Sequence, residues 1–167
     1  DAEADAFVYC LFADVCRGAV DEATLREIMR LGGAYPDSIE EAARFTRYID
    51  KGDVVTRVLI HLDRQSSPAD FSVFGRLVVP FYNYLQAALV LFEDGWLSAE
   101  AVLAVATDLV VVHNFERRAL SRSYLDLHRR GHLAGSGVGE LRRALGELVS
   151  GRRAAAASEL MGMLEEV

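Results

Sequence analysis

Apolar positions recur along this chain mostly at helical spacing. Phe7, Val8, Leu11, Phe12 and Val15 mark a first helix, which Gly18 ends. Asp21 can cap a second helix through Leu25, Ile28, Met29 and Leu31, stopped by Gly32-Gly33. Pro36-Asp37-Ser38 opens a third, with Ser38 and Glu41 spaced as a capping box and Ile39, Ala42, Ala43, Phe45 and Tyr48 on its apolar side. Lys51-Gly52-Asp53 breaks the chain. The β-branched run Val54, Val55, Val58, Leu59 and Leu62 suits helix or strand, and Arg57, His61 and Arg64 on the opposite helical face decide for helix.

Ser67-Pro68-Ala69-Asp70 is a start signal, a serine cap with proline at the first helical position. The helix it opens is expected to run to Asp94-Gly95 with a kink at Pro80. Ser98 caps the next, from Ala99 to about Leu120, where Val102, Leu103, Val105, Ala106, Leu109 and Val110 to Val112 are apolar almost all round. Two successive helices of this kind must be surrounded by others, so they form a central hairpin. Tyr124, Leu125 and Leu127 suggest a short helix, Gly131 to Gly139 reads as a flexible linker, and Leu141, Leu145, Leu148 and Val149 mark an amphipathic helix. A weak last segment holds Leu160, Met161 and Leu164. No stretch alternates apolar and polar residues over a strand's length. The expected fold class is all-α, a bundle around a central apolar hairpin, with residues 1–130 as the core and 131–167 as linker and C-terminal helix.

Composition agrees with a globular body of one domain: 167 residues, 51% hydrophobic and 26% charged. The net charge of −7 is uneven. Residues 1–116 hold 9 basic and 19 acidic groups, 117–153 hold 9 and 3, and 154–167 hold none and 3. An acidic body is a poor nucleic-acid footprint, so no nucleic acid is expected as partner, and only the basic arm 117–153 keeps that option open. Cys10 and Cys16 sit on one helix, roughly 9 Å apart along its axis at about 1.5 Å per residue, beyond disulfide reach. They read as buried thiols of a reducing compartment. No secretory leader is legible, although a chain beginning at Asp1 without Met leaves room for a trimmed one. The uncharged run Leu77 to Phe92 contains Pro80, Asn83 and Gln86 and is short of the ~20 apolar residues of a membrane span.

Catalytic groupings are not legible, and the reading is a binding protein rather than an enzyme, with no cofactor and no metal. Gly135-Ser136-Gly137-Val138-Gly139 looks like a phosphate loop, but neither a preceding strand nor a following Lys-Ser/Thr supports it. His128 and His132 are spaced for one helical face, yet Gly131 and Arg129-Arg130 argue against a cation there. His113 and Glu116 lack the further carboxylates of a di-iron bundle. Asp108, inside an apolar helix, marks a site, a salt bridge or a gap facing water. Arg142, Arg143, Arg152 and Arg153 have no interleaved aromatics and read as a solvated basic face.

The run Phe71-Ser72-Val73-Phe74-Gly75-Arg76-Leu77-Val78-Val79-Pro80-Phe81 resembles the first homology motif of the Bcl-2 family of apoptosis regulators, Asn-Trp-Gly-Arg followed by apolar residues. Gly75 and Arg76 match, Phe74 replaces Trp and Val73 replaces Asn. Ile28 to Tyr35 is similar to the family's third motif, with Gly33 in place of its Asp. The spacing from Gly32 to Gly75 and the order of elements agree, the Trp-rich second motif is missing, and the Arg-rich, loosely matched sequence resembles viral members. The resemblance covers about residues 5–130. It implies a Bcl-2-like bundle whose surface groove takes the amphipathic death-motif (BH-three) helices of pro-apoptotic proteins. The groove would be lined by Phe45, Tyr48, Leu59, Leu62, Phe71, Phe74, Gly75, Val79 and Tyr82, with Arg76 pairing an acidic residue of the partner. In the competing reading these aromatics are ordinary core and Arg76 only caps or snorkels. The resemblance further implies an apoptosis inhibitor in the cytoplasm or peripheral to the mitochondrial outer membrane. The rival function is a helical adaptor, dimeric in one form, acting through a flat apolar patch on the Leu141–Val149 helix or through the basic arm. The sequence leaves the oligomeric state open.

Overall fold

The computed structural model describes residues 2–63, 71–111 and 119–150. The chain divides into two compact units, Asp1–Pro80 and Phe81–Val167. The C-terminal amphipathic helix belongs to the second unit, because its apolar stripe packs within it.

The first unit opens with α1 (Ala2–Arg17), α2 (Glu22–Leu31) and α3 (Pro36–Phe45). Gly18, at φ 76, turns the chain out of α1 in a conformation that only glycine adopts without strain. Asp21 caps α2 as expected, its carboxylate accepting the Thr24 N–H at 2.8 Å. The expected capping box of α3 does not form. Tyr35 is the N-cap residue, Pro36 takes the first turn, and Ser38 already lies inside the helix. α2 and α3 pair through buried Leu25, Ile39 and Ala43, and across their polar rims Arg26 binds Glu40 and Arg47 binds Glu22. Lys51 closes this corner: its ammonium donates to the Val15 and Thr46 carbonyls, each at 3.1 Å, at the C-terminal ends of α1 and α3. A cation there adds to the Gly18 N–H bond that the Val15 carbonyl already accepts, and it complements both helix dipoles.

Residues 58–61 correct the helical expectation. Val58–His61 is a strand, β1, paired with a second strand, β2 (Val78–Phe81). Val58, Ile60 and Leu62 are buried while His61 and Asp63 are exposed, so burial alternates with a period of two although Leu59 breaks the alternation of residue type. No single helix runs through 71–94 either. Ser72–Phe74 is one 3-10 turn, Gly75 leaves it at φ 60, and Val78-Val79-Pro80-Phe81 is extended. β-branched residues and a proline, which pushes its predecessor into the β region, win over the apolar run. The expected helix start at Ser67-Pro68 lies outside the described residues. The core here consists of Ala6, Val58, Ile60, Leu62, Phe71 and Val78, with Ala2, Cys10, Val55, Phe74 and Leu77 partly buried around it.

The second unit holds α4 (Tyr84–Glu93), α5 (Ala99–Val111), α6 (Ala119–Arg129) and α7 (Val138–Ser150). Asn83 caps α4, accepting the Gln86 N–H at 3.0 Å, and the Ser98 hydroxyl accepts the Ala101 N–H at 3.3 Å at the start of α5. α4 and α5 form the expected apolar hairpin, its first arm starting at Tyr84. α5 packs against α4, α6 and α7, and α4 also against α6. Leu85, Leu89, Val90, Val102, Leu103, Leu120, Leu127, Leu141 and Leu145 are fully buried. The chain is thus mostly helical, with a small two-stranded sheet in its first unit. Residues 131–137 are not a loose linker. Leu133 is buried, Glu93 accepts from the Ala134 N–H (2.9 Å) and the Ser136 hydroxyl (3.0 Å), and Gly137 lies against the Phe92 ring.

Candidate functional site

The residues expected to line one groove are distributed over several places. Leu62 and Phe71 are buried in the core of the first unit, with Phe74 half-buried beside Phe71 at 6.4 Å between ring centres. Val79 is fully buried in β2, and Leu59 is half-buried in β1. Gly75 and Arg76 are exposed on the turn before β2, where the Arg76 carbonyl accepts from the Arg57 guanidinium at 2.5 Å. Arg76 therefore stands on a turn and not at a helix start. Tyr82 belongs to the second unit, with the Arg130 guanidinium 5.9 Å from its ring centre.

Phe45 and Tyr48 do come together. They are 59% and 77% exposed and line an open pocket of about 110 Å³ with Glu41 and Arg44. The local cause is helical periodicity. Glu41, Arg44, Phe45 and Tyr48 are spaced i, i+3, i+4, i+7 and share one side of α3 and its C-terminal extension, while Ile39, Ala43 and Thr46 turn inward. The pocket thus combines two aromatic walls with one acid and one base. Glu41 and Arg44 were missed in the sequence, although their spacing to Phe45 and Tyr48 was there to be seen.

Charge pairs also cross the rims of the α2–α3 pair that carries this surface. Hydrogen bonding to Arg47 holds the Glu22 carboxyl below its ordinary range, and Arg26 does the same for Glu40. The Thr24 N–H lowers Asp21 likewise.

The remaining candidates resolve differently. Asp108 is exposed on α5. Cys16 is buried and Cys10 half-buried; burial, then Asp14, pushes the Cys10 thiol up, away from the reactive thiolate. The His128 ring stacks on Tyr124 at 6.2 Å, with Nδ1 3.1 Å from the Leu133 carbonyl oxygen. Among the described residues, no group of three or more His, Cys, Asp or Glu is placed to hold a metal ion. In the glycine run, Gly135 lies near the Tyr124 hydroxyl and Gly137 against Phe92, so its backbone serves packing. Arg143 pairs with Glu147 on α7. His113, Glu116, Arg152 and Arg153 lie outside the described residues. No helix among those described is long and apolar enough to cross a membrane. Comparison with family models, curated proteins and solved structures finds no match to this chain.

Proposed function

We propose that this chain is a protein-binding helical module that takes an amphipathic helix of a partner onto the outer face of α3. The supporting observation is the open pocket between Phe45 and Tyr48, two residues that the Bcl-2 resemblance assigns to a groove. An apolar anchor of the partner helix fills the aromatic pocket, and Arg44 pairs an acidic residue one turn away. In its finer form the proposal is a divergent Bcl-2-like apoptosis inhibitor that captures death-motif helices, cytoplasmic or peripheral to the mitochondrial outer membrane. The adaptor reading has less support. It called for a flat apolar patch on α7, and Leu141 and Leu145 are buried against the rest of the second unit.

The test is calorimetric titration of a panel of death-motif peptides. One or more should bind, and Phe45→Ala or Tyr48→Ala should weaken binding about 30-fold or more, the scale of a central interface anchor of about 2 kcal/mol. Arg44→Ala and Arg76→Ala separate the two candidate charge anchors, since only the one facing the partner's acid should lose affinity. Binding that survives both aromatic changes, or a panel without a binder, overturns the proposal.

A further inference from the structure

The charges that α2 and α3 leave unused specify a partner for the α3 pocket. In α2, α3 and the turn after it, Glu22, Glu27 and Glu40 and Arg26, Arg30 and Arg47 are all engaged in ion pairs. Among the described residues, Glu41 and Arg44 are the glutamate and the arginine of this region that enter none, and both line the pocket. The neighbouring Glu40 carboxyl is held low first by hydrogen bonding to Arg26, at 3.0–3.3 Å, and only then by the charge of Arg44, so it leaves that guanidinium available. Elsewhere apolar exposure comes without free charges of both signs. Helix α1 buries Ala6 and Ala13 and exposes Phe7, Val8 and Phe12, and its one arginine, Arg17, is held by Asp14 at 2.6 Å.

Resting on the docking of a helix at α3, we infer that the docked helix runs antiparallel to α3 and reads apolar, acidic, basic at one-turn intervals. Along α3 the order is Glu41, then Arg44 and Phe45, then Tyr48. The partner's apolar side chain enters between Phe45 and Tyr48, its acid reaches Arg44, and its base reaches Glu41 one turn further on. In that direction the acid precedes the base, which is also the order that steadies the partner's own helix. Both pairs lie at an exposed rim, so they select the partner and its direction more than they add affinity. A second copy fits poorly. Set antiparallel with Glu41 against Arg44, it brings Asp37 to Tyr48, a carboxylate over an aromatic wall. Set parallel in register, it opposes like charges at both positions.

Two synthetic helices of equal composition test it. One carries Leu, then Glu four residues later, then Lys four after that; in the other, Glu and Lys are exchanged. The wild-type chain should bind the first about tenfold or more tightly in calorimetric titration, and raising salt from about 0.05 to about 0.5 M should narrow that preference. Glu41→Lys with Arg44→Glu should invert the preference, which separates recognition by the chain from the peptides' own helicity. Its melting temperature should match wild type, because both side chains are exposed. Phe45→Ala should weaken both peptides alike. Equal binding of the two peptides, each still dependent on Phe45, leaves α3 a docking face and overturns the charge order. A preference that the double variant does not invert overturns it too. Failure of both peptides to bind removes the docking reading and the charge order with it. A wild-type dimer that Arg44→Glu dissociates gives the face to a second copy, and that also overturns the inference.

Discussion

Adding one methyl group at Gly137 tests how firmly the α6–α7 connection is seated. A Cβ built there would meet Phe92 Cε1 at 2.2 Å, Cζ at 3.0 Å and Cδ1 at 3.2 Å. Carbon atoms rest at about 3.5–4.0 Å, so the ring or the loop must withdraw by roughly 1.3 Å or more. Phe92 is buried, and the loop is tied to α4 through Glu93, so neither side yields freely. Overpacking of this kind costs about 1–3 kcal/mol, and the loss of glycine's freedom in the unfolded chain returns about 0.4–1 kcal/mol. Gly137→Ala should therefore destabilise the protein by about 1–2 kcal/mol, and lower its melting temperature by about 2–8 °C at 2–4 °C per kcal/mol. Gly139 and Gly146, in α7 with nothing within 4 Å of the same methyl, supply the contrast: alanine there should be neutral or raise stability by up to about 1 kcal/mol. Chemical denaturation followed by far-ultraviolet circular dichroism reads all three. A truncation of Phe92 to Leu should recover part of the Gly137→Ala loss, as a non-additive pair. If Gly137→Ala is as stable as wild type while Gly139→Ala behaves as expected, the loop does not lie against Phe92.

Two further outcomes follow from polar contacts. Gln86 is buried, accepts the Tyr82 N–H at 2.7 Å and donates to Asp126 at 2.9 Å, while Asp126 also holds Arg130 at 2.7 Å, so Gln86→Met should cost about 1–2 kcal/mol, chiefly by stranding the Tyr82 N–H; equal stability in urea titration would refute that. Asp21, Glu22 and Glu40 titrate below their ordinary values in the folded chain, so their stabilisation of α2 and α3 is complete above about pH 4–5 and is lost as acid carries them through those lowered values. Amide exchange in α2 and α3 should accelerate on acidification below that range more than base chemistry allows, and less so in Arg47→Met; protection that is indifferent to both changes would refute the charge network.

The helices with explicit punctuation were legible. Asp21, Ser98 and Gly18 act through local backbone chemistry, and the structure uses each as the sequence suggests. β1 escaped because Leu59 interrupts an otherwise alternating row, and because Arg57, His61 and Arg64 suit a helical face as well. Between Phe71 and Asn83 the signals against helix were present in Gly75 and Val79-Pro80, but a long uncharged run outweighed them. The orientation of α1 was not legible at all. Pattern alone would bury Phe7 and Phe12, whereas the structure buries alanines, since a close-fitting neighbour and not side-chain size decides which face turns in. The seating of residues 131–137 depends on Glu93, some forty positions away, which no local window contains. Of the expected groove, Phe45 and Tyr48 lie side by side at a pocket, for helical spacing fixes that pair while tertiary packing draws Leu62, Phe71 and Val79 inward.

Lys51 is the only lysine in a chain with 18 basic residues, so it is also the only side-chain amine. An acylating reagent, or an enzyme that conjugates to lysine, has this one side chain to work on. That amine is occupied with the carbonyls of Val15 and Thr46, which slows its reaction in the folded chain. Once acylated, it loses its charge and all but one of its N–H donors, and the ends of α1 and α3 lose a shared clasp. Amine labelling thus doubles as a footprint of this corner: the rate at which Lys51 reacts measures how often α1 and α3 come apart at their C-terminal ends.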